Sequence, residues 1–135
     1  MKLRMVALLA LINEKNEVLI SLRENRADLN GYWEYPGGKV ERGEAIDQAI
    51  VREMKEELNL DVSSECVAPL TFTVAHDEIS QKILLLHICR KWDGNPESLL
   101  DQKIEWVKPI NLIHYKMPKP NLFLNSMLRD WVADP

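Results

Sequence analysis

Glu53, Glu56 and Glu57 stand within five residues of one another, in a stretch whose apolar spacing predicts a helix over residues 44–58. Positions 46, 50, 53 and 57 are spaced 4, 3, 4, the pattern of a helical stripe that packs against a core. Ile46 and Ile50 follow that pattern. Glu53 and Glu57 continue the same stripe, and Glu56 lies one turn after Glu53. Carboxylates so placed are directed at protein rather than at bulk water. Like charges at i, i+4 repel by about 0.2–0.5 kcal/mol, and anions near a helix C-terminus oppose the macrodipole by about 0.3–1 kcal/mol. A hard divalent cation offsets both costs, because carboxylate oxygens suit magnesium or manganese, with substrate phosphates and waters completing the shell. The alternative is a solvated charged face in which Arg52 pairs with Glu56 and Arg42 with Glu53.

The segment just before this helix favours the cation. In Glu34-Tyr35-Pro36-Gly37-Gly38-Lys39, Pro36 fixes one dihedral angle and two successive glycines permit positive φ and close backbone approach. Such a loop leaves carbonyls and amides free to meet a metal or a phosphate, although a Gly-Gly pair alone is more often a simple turn.

The elements that must position these residues are mostly strands. Apolar stretches at 4–12, 17–22, 67–75, 82–90 and 104–107 read as strands, and 67–75 with 82–90 reads as an antiparallel hairpin closed by a six-residue loop, 76–81. A second helix is expected over 121–132, where Leu124, Leu128 and Trp131 share one face. The fold class is therefore mixed α/β, helices on a mixed, partly antiparallel sheet. At 135 residues, without repeats or low-complexity segments, residues 1–135 form a single domain.

Composition excludes several roles. The chain is 46% hydrophobic and 28% charged, as soluble globular domains are. No stretch approaches the roughly 20 apolar residues that span a bilayer, so no membrane association is expected. Lys2 and Arg4 before the apolar run 5–12 imitate the opening of a signal peptide, but Asn13, Glu14 and Lys15 follow where a small-residue cleavage site belongs. That run reads as a buried first strand. Cys66 and Cys89 lack disulfide-framework or zinc spacing and read as buried thiols of a reducing cytosol, which points to the cytoplasm. A formal net charge of −4 argues against binding a nucleic acid polymer but leaves room for a small anionic substrate that cations neutralise. His76, His87 and His114 form no metal spacing, and no nucleophile has an evident histidine partner.

Gly38, five residues, Glu44, seven residues, then Arg52-Glu53-Met54-Lys55-Glu56-Glu57-Leu58-Asn59-Leu60 resembles the signature of the Nudix hydrolases, Gly-x5-Glu-x7-Arg-Glu-U-x-Glu-Glu-x-Gly-U with U aliphatic. One position departs from it: Asn59 stands where the family has glycine. That glycine is a left-handed residue just past the helix, and asparagine is the next best residue for the conformation.

The resemblance implies a Nudix-type α/β/α sandwich and a set of roles. Glu53, Glu56 and Glu57 would bind Mg2+ or Mn2+, completed by the backbone carbonyl of Gly38 or Gly37. Arg52 would orient Glu53, Glu44 would support loop and helix, and Glu53 would be the general base unless a loop acid, Glu97 or Asp101, takes that part. Within the family the chain is similar to the MutT-like 8-oxo-dGTP diphosphatases. Residues 33–41, with Glu34, Tyr35, Pro36 and Gly37, are similar to the stretch leading into their signature. Arg23 matches an arginine that contacts phosphates, and 115–121 resembles a proline-rich loop whose asparagine, here Asn121, reads the oxidised guanine. An amide suits that task by offering both a donor and an acceptor. Capping the last helix is the other role open to Asn121. Tyr35 would either cover a purine face or pack in the core.

The implied reaction gives a nucleoside monophosphate and pyrophosphate by water attack on the β-phosphorus. It would remove a mutagenic precursor from the nucleotide pool and so protect DNA replication. The signature is equally compatible with enzymes for pyrimidine triphosphates, dihydroneopterin triphosphate or dinucleoside polyphosphates. A non-catalytic nucleotide-binding module would have lost signature glutamates that this chain keeps. The resemblance favours a monomer, with a dimer left open.

Overall fold

The computed structural model describes residues 1–24 and 30–133; the expected domain's segment 25–29 and its last residues, 134–135, lie outside them. The first strand, β1 (Lys2–Leu11), is the axis of the fold. Its even positions Leu8 and Ala10 face one core and its odd positions Ala7, Leu9 and Leu11 face the other. This strand is apolar on both faces because helices cover both.

Around it lies a mixed sheet in the order β4-β1-β6-β5, made with β4 (Gly37–Lys39), β5 (Ala68–His76) and β6 (Ser80–Cys89). β1 runs parallel to β6, from Lys2 opposite Ser80 to Leu11 opposite Cys89, and antiparallel to β4. A smaller antiparallel sheet, β3-β2-β7, is built from β2 (Val18–Leu22), β3 (Trp33–Glu34) and β7 (Ile104–Val107). Helix α1 (Ile46–Leu58) covers one face through Ala49, Ile50, Met54 and Leu58. Helix α2 (Asn121–Val132) covers the other through Leu124 and Leu128. The result is the expected α/β/α sandwich. No described helix is long and apolar enough to cross a membrane.

Several expectations need correction. β3 and β4 do not stand out in the sequence, because strands of two and three residues carry no periodicity and exist only by pairing with β2 and β1. The hairpin connection is shorter than six residues: His76 already pairs with Gln81, leaving Asp77, Glu78 and Ile79 outside the strands. The cause is Asp77, whose Oδ1 accepts the Ile79 and Ser80 N–H groups at 2.9 and 2.7 Å and tightens the turn. Trp131 does not share the core face of Leu124 and Leu128; it is 41% exposed, with the Arg90 guanidinium 5.2 Å from its ring centroid. Cys89 is buried, Cys66 is half-buried, and both are free thiols.

Candidate active site

The helix begins at Ile46, two residues later than its spacing predicts, and Glu44 stays outside it. That position lets Glu44 meet the side chain of Arg52. Arg52 Nε and Nη2 donate to the two carboxylate oxygens of Glu44 at 2.8 and 3.0 Å. Nη1 donates to Glu53 Oε1 at 2.8 Å and to Glu56 Oε2 at 3.3 Å, while Nη2 also reaches the Lys39 carbonyl at 3.1 Å. One guanidinium therefore joins the loop, the strand β4 and the helix. Charge-assisted, bidentate bonds of this kind are the strongest the chain can make. They hold the Glu44 carboxyl down at about 2, the Arg52 bond first and the Glu41 backbone N–H second. Arg52 bonds Glu53, as the resemblance implies, and also Glu56, as the solvated-face alternative has it; the partner of Glu53 is Arg52 rather than Arg42.

Glu53 and Glu57 face the β4 strand. The Glu53 side chain is only 14% exposed and lies so close to Gly38 that a Cβ on that residue would sit 2.6 Å from Glu53 Oε1. Glu57 Oε2 accepts the Gly37 N–H at 3.2 Å. Gly37 itself has φ of 141°, and an added Cβ would collide with the Ala7 carbonyl of β1. The two glycines thus have separate reasons: one lets β4 close on β1, the other lets a carboxylate close on β4. Burial first, then the neighbouring Glu53 and, less, Glu34, push the Glu57 carboxyl up to about 8 against the opposing Gly37 N–H. Two half-buried carboxylates facing each other against backbone form a cradle for a cation.

Glu56 is placed differently. Its side chain is 59% exposed and leans on Arg52, so among the described residues no three acidic, histidine or cysteine side chains gather as a metal-holding group. The structure brings together Glu53, Glu57, Gly37 and Gly38, and leaves Glu56 one bond away at Arg52. Hard carboxylate oxygens and a backbone-lined cradle that a methyl group would fill fit a magnesium- or manganese-sized cation.

The remaining candidates divide into two places. Arg23 donates from Nη2 to Glu34 Oε2 at 2.7 Å, so the two expected substrate residues pair with each other. Tyr35 is only 2% exposed and its hydroxyl donates to Asn125 Oδ1 at 2.6 Å. Of the two roles open to it, the structure places it in the core. Asn125 in turn donates to Met117 Sδ at 3.2 Å. Asn125 was not singled out in the sequence, yet it lies four residues after Asn121, one turn on along the same helix.

Asn121 is 4% exposed and is the first residue of α2. Pro120 occupies the cap position and no side chain caps this helix, so capping is not the role Asn121 fills. Its side chain makes no hydrogen bond among the described residues. The residue is buried, yet its amide atoms are not among the fully buried polar atoms left unpaired, so the amide stays accessible to water or a ligand. Of the loop acids, Glu97 Oε1 accepts from Asn59 Nδ2 at 3.1 Å, and Asp101 is an exposed residue with φ of 54°. Asn59 has φ 54° and ψ 37°, the left-handed conformation that its place in the signature demands.

A mixed sheet between two helices, with a glycine-lined pair of glutamates steadied by an arginine at the end of one helix, defines a hydrolase site of the Nudix type. Residues 1–126 match the NUDIX domain, and the chain belongs to that family. It is a Nudix hydrolase. It is 41% identical over 73 residues to the 8-oxo-dGTP diphosphatase of Proteus vulgaris, a match covering 54% of this chain and 62% of that protein. The 8-oxo-dGTP diphosphatase of Escherichia coli K12 is 29% identical over 90% of this chain and 92% of its own length. The CTP pyrophosphohydrolase of the same organism is 32% identical over 85% and 84%. Among solved structures, a MutT from work on Aliivibrio salmonicida and Vibrio cholerae superposes with a TM-score of 0.81 at 27% identity, covering 96% of this chain and 99% of that one. The family match runs from β1 into α2, so the likeness extends beyond the signature helix to most of the fold.

Proposed function

We propose that this chain is a divalent-cation-dependent nucleoside triphosphate pyrophosphohydrolase acting in the cytoplasm, with 8-oxo-dGTP as its preferred substrate and 8-oxo-dGMP and pyrophosphate as products. The observation that carries the chemistry is the half-buried Glu53/Glu57 pair, closed against Gly37 and Gly38 and oriented by Arg52. Glu53, Glu57 and the neighbouring Glu56 would hold Mg2+ or Mn2+, with a carbonyl of Gly37 or Gly38. What the cation supplies when bound is charge: it neutralises the triphosphate and polarises the phosphorus under attack. In a chain of net charge −4, a polyanionic substrate needs that neutralisation.

The residues of the chain do the rest. Arg52 orients Glu53 through Oε1, and Glu53 would take the proton of the attacking water. The oxygen of that water bonds to the β-phosphorus, the bond from the β-phosphorus to the α,β-bridging oxygen breaks, and that oxygen leaves on the nucleoside monophosphate. Arg23, paired with Glu34, would meet phosphate oxygens. Asn121 supports the purine preference, since its amide, unpaired within the described chain, has both a donor and an acceptor to offer a base edge. This purine reading draws on the two 8-oxo-dGTP diphosphatase relatives. A pyrimidine triphosphate is the second reading, favoured by the comparable similarity to the E. coli CTP pyrophosphohydrolase.

The test is steady-state hydrolysis of 8-oxo-dGTP, dGTP, dCTP and dATP with magnesium, for wild type and Glu53→Gln. A kcat/KM for 8-oxo-dGTP orders of magnitude above the rest, lost in the variant, is the expected result. A preference for dCTP would leave the chemistry and replace the substrate. Absence of turnover on every nucleotide would remove the enzyme reading.

A further inference from the structure

The C-terminal end of α1 is tied to a second segment of chain that the signature does not include. Residues 93–99 run back along residues 57–61. Asp61 and Asp93 exchange backbone hydrogen bonds at 3.1 and 3.0 Å, the Glu97 N–H donates to the Leu58 carbonyl at 3.1 Å, and the Leu99 N–H donates to the Glu57 carbonyl at 2.9 Å. The carbonyls of the last helical turn have no donor within the helix, so this segment satisfies groups that would otherwise depend on water. In the middle of the pairing stands Asn59, whose Nδ2 donates to Glu97 Oε1 at 3.1 Å. A glycine at this position would adopt the left-handed backbone more easily. It would have no side chain with which to hold Glu97.

Beyond Glu97 the chain turns back toward the site. The Ser98 hydroxyl accepts the Gln102 N–H at 2.9 Å and closes the turn. Ser98, Leu100 and Gln102 then line a small cleft together with Glu57 and Pro36. One side of that cleft is thus a segment whose anchor is the helix end that carries Glu57.

We propose that Asn59 is a positioning residue: by holding Glu97 it seats residues 98–102 against Glu57 and fixes the wall of the cleft beside the carboxylate pair. This rests on the reading of Glu53 and Glu57 as the reaction site. The departure from the family's glycine is then a functional tie as well as a tolerated turn residue. Loosening it leaves the ligands for cation and triphosphate in place, so KM holds. The cleft then closes less faithfully and kcat falls.

The experiment compares Asn59→Gly, Glu97→Ala, their double variant and Glu97→Gln, by steady-state kinetics with magnesium and by amide hydrogen exchange at Leu99. Asn59→Gly and Glu97→Ala should each lower kcat about threefold to tenfold with KM little changed. The double variant should fall no further than either single one, because both remove the same bond. Glu97→Gln, whose amide oxygen still accepts from Asn59, should restore most of the loss, and Leu99 exchange should quicken in Asn59→Gly and Glu97→Ala but not in Glu97→Gln. Wild-type kcat in both single variants, multiplicative losses in the double variant, or a Glu97→Gln as slow as Glu97→Ala would each overturn the proposal. A wild type inactive on all nucleotides would defeat the functional reading instead; the Leu99 exchange then decides, and unchanged protection in Asn59→Gly overturns the tie.

Discussion

Arg52 grips Glu44 through two parallel hydrogen bonds, Nε to Oε2 at 2.8 Å and Nη2 to Oε1 at 3.0 Å, across eight residues of sequence. The same guanidinium reaches Glu53, so a residue outside the helix shares the arginine that holds the Glu53 carboxylate. This gives the signature glutamate Glu44 a physical task without placing it on the substrate.

Replacing Glu44 should therefore act on both stability and activity. The Glu44 carboxyl lies at about 2 in the folded chain against an ordinary value of 4.5. Because the folded value is the lower one, its contribution to stability is fully present above about pH 4.5 and is lost as the pH falls through about 2. Thermal unfolding of wild type and Glu44→Gln should differ at pH 7 and converge by pH 2. Arg52→Lys, which keeps the charge but cannot form the fork, should lower kcat/KM by about tenfold or more. Equal melting temperatures of Glu44→Gln and wild type at pH 7 would show that the pair carries no stability.

Cation binding should release a proton. With the Glu57 carboxyl at about 8, mostly by burial and then by the charge of Glu53, the cation-free site holds that proton at neutral pH. In the cation-free protein the sign follows directly: stability from this group is full below about pH 4.5 and is lost as the pH rises through about 8. Manganese affinity should rise with pH and level off above about 8. Titration calorimetry in two buffers of different ionisation enthalpy measures the proton released, and Glu57→Gln should abolish it. A buffer-independent heat for the wild type at pH 7 would contradict the assignment.

The two glycines of the loop should separate chemistry from folding. In Gly38→Ala the new Cβ presses on a side-chain carboxylate, which can swing away, so the fold should survive while kcat/KM drops by about a hundredfold. In Gly37→Ala the Cβ meets the backbone of β1 at a φ of 141°, and neither can yield cheaply. Gly37→Ala should lose melting temperature and soluble yield first. Full activity in Gly38→Ala would remove Glu53 from the site.

Much of this protein is legible along the chain because its information is local. The apolar stripe of α1, the carboxylates interrupting it and the left-handed turn at Asn59 depend on residues within one or two turns of one another. Side-chain period and cap chemistry report such features directly. The spacing from Gly38 through Glu44 to Glu57 likewise carries the family's signature.

Tertiary structure decided what depends on partners distant in sequence. Glu56 and Glu57 are neighbours about 100° apart around the helix, so only the seating of α1 on the sheet turns Glu57 inward and leaves Glu56 exposed. Tyr35 could have faced a base or the core until the fold set its hydroxyl 2.6 Å from Asn125, ninety residues away. β3, β4 and the pairing of 93–99 with 57–61 are held by backbone N–H and carbonyl groups. Every residue but proline carries both groups, so such pairings leave no mark in side-chain identity and appear only when the chain has closed on itself.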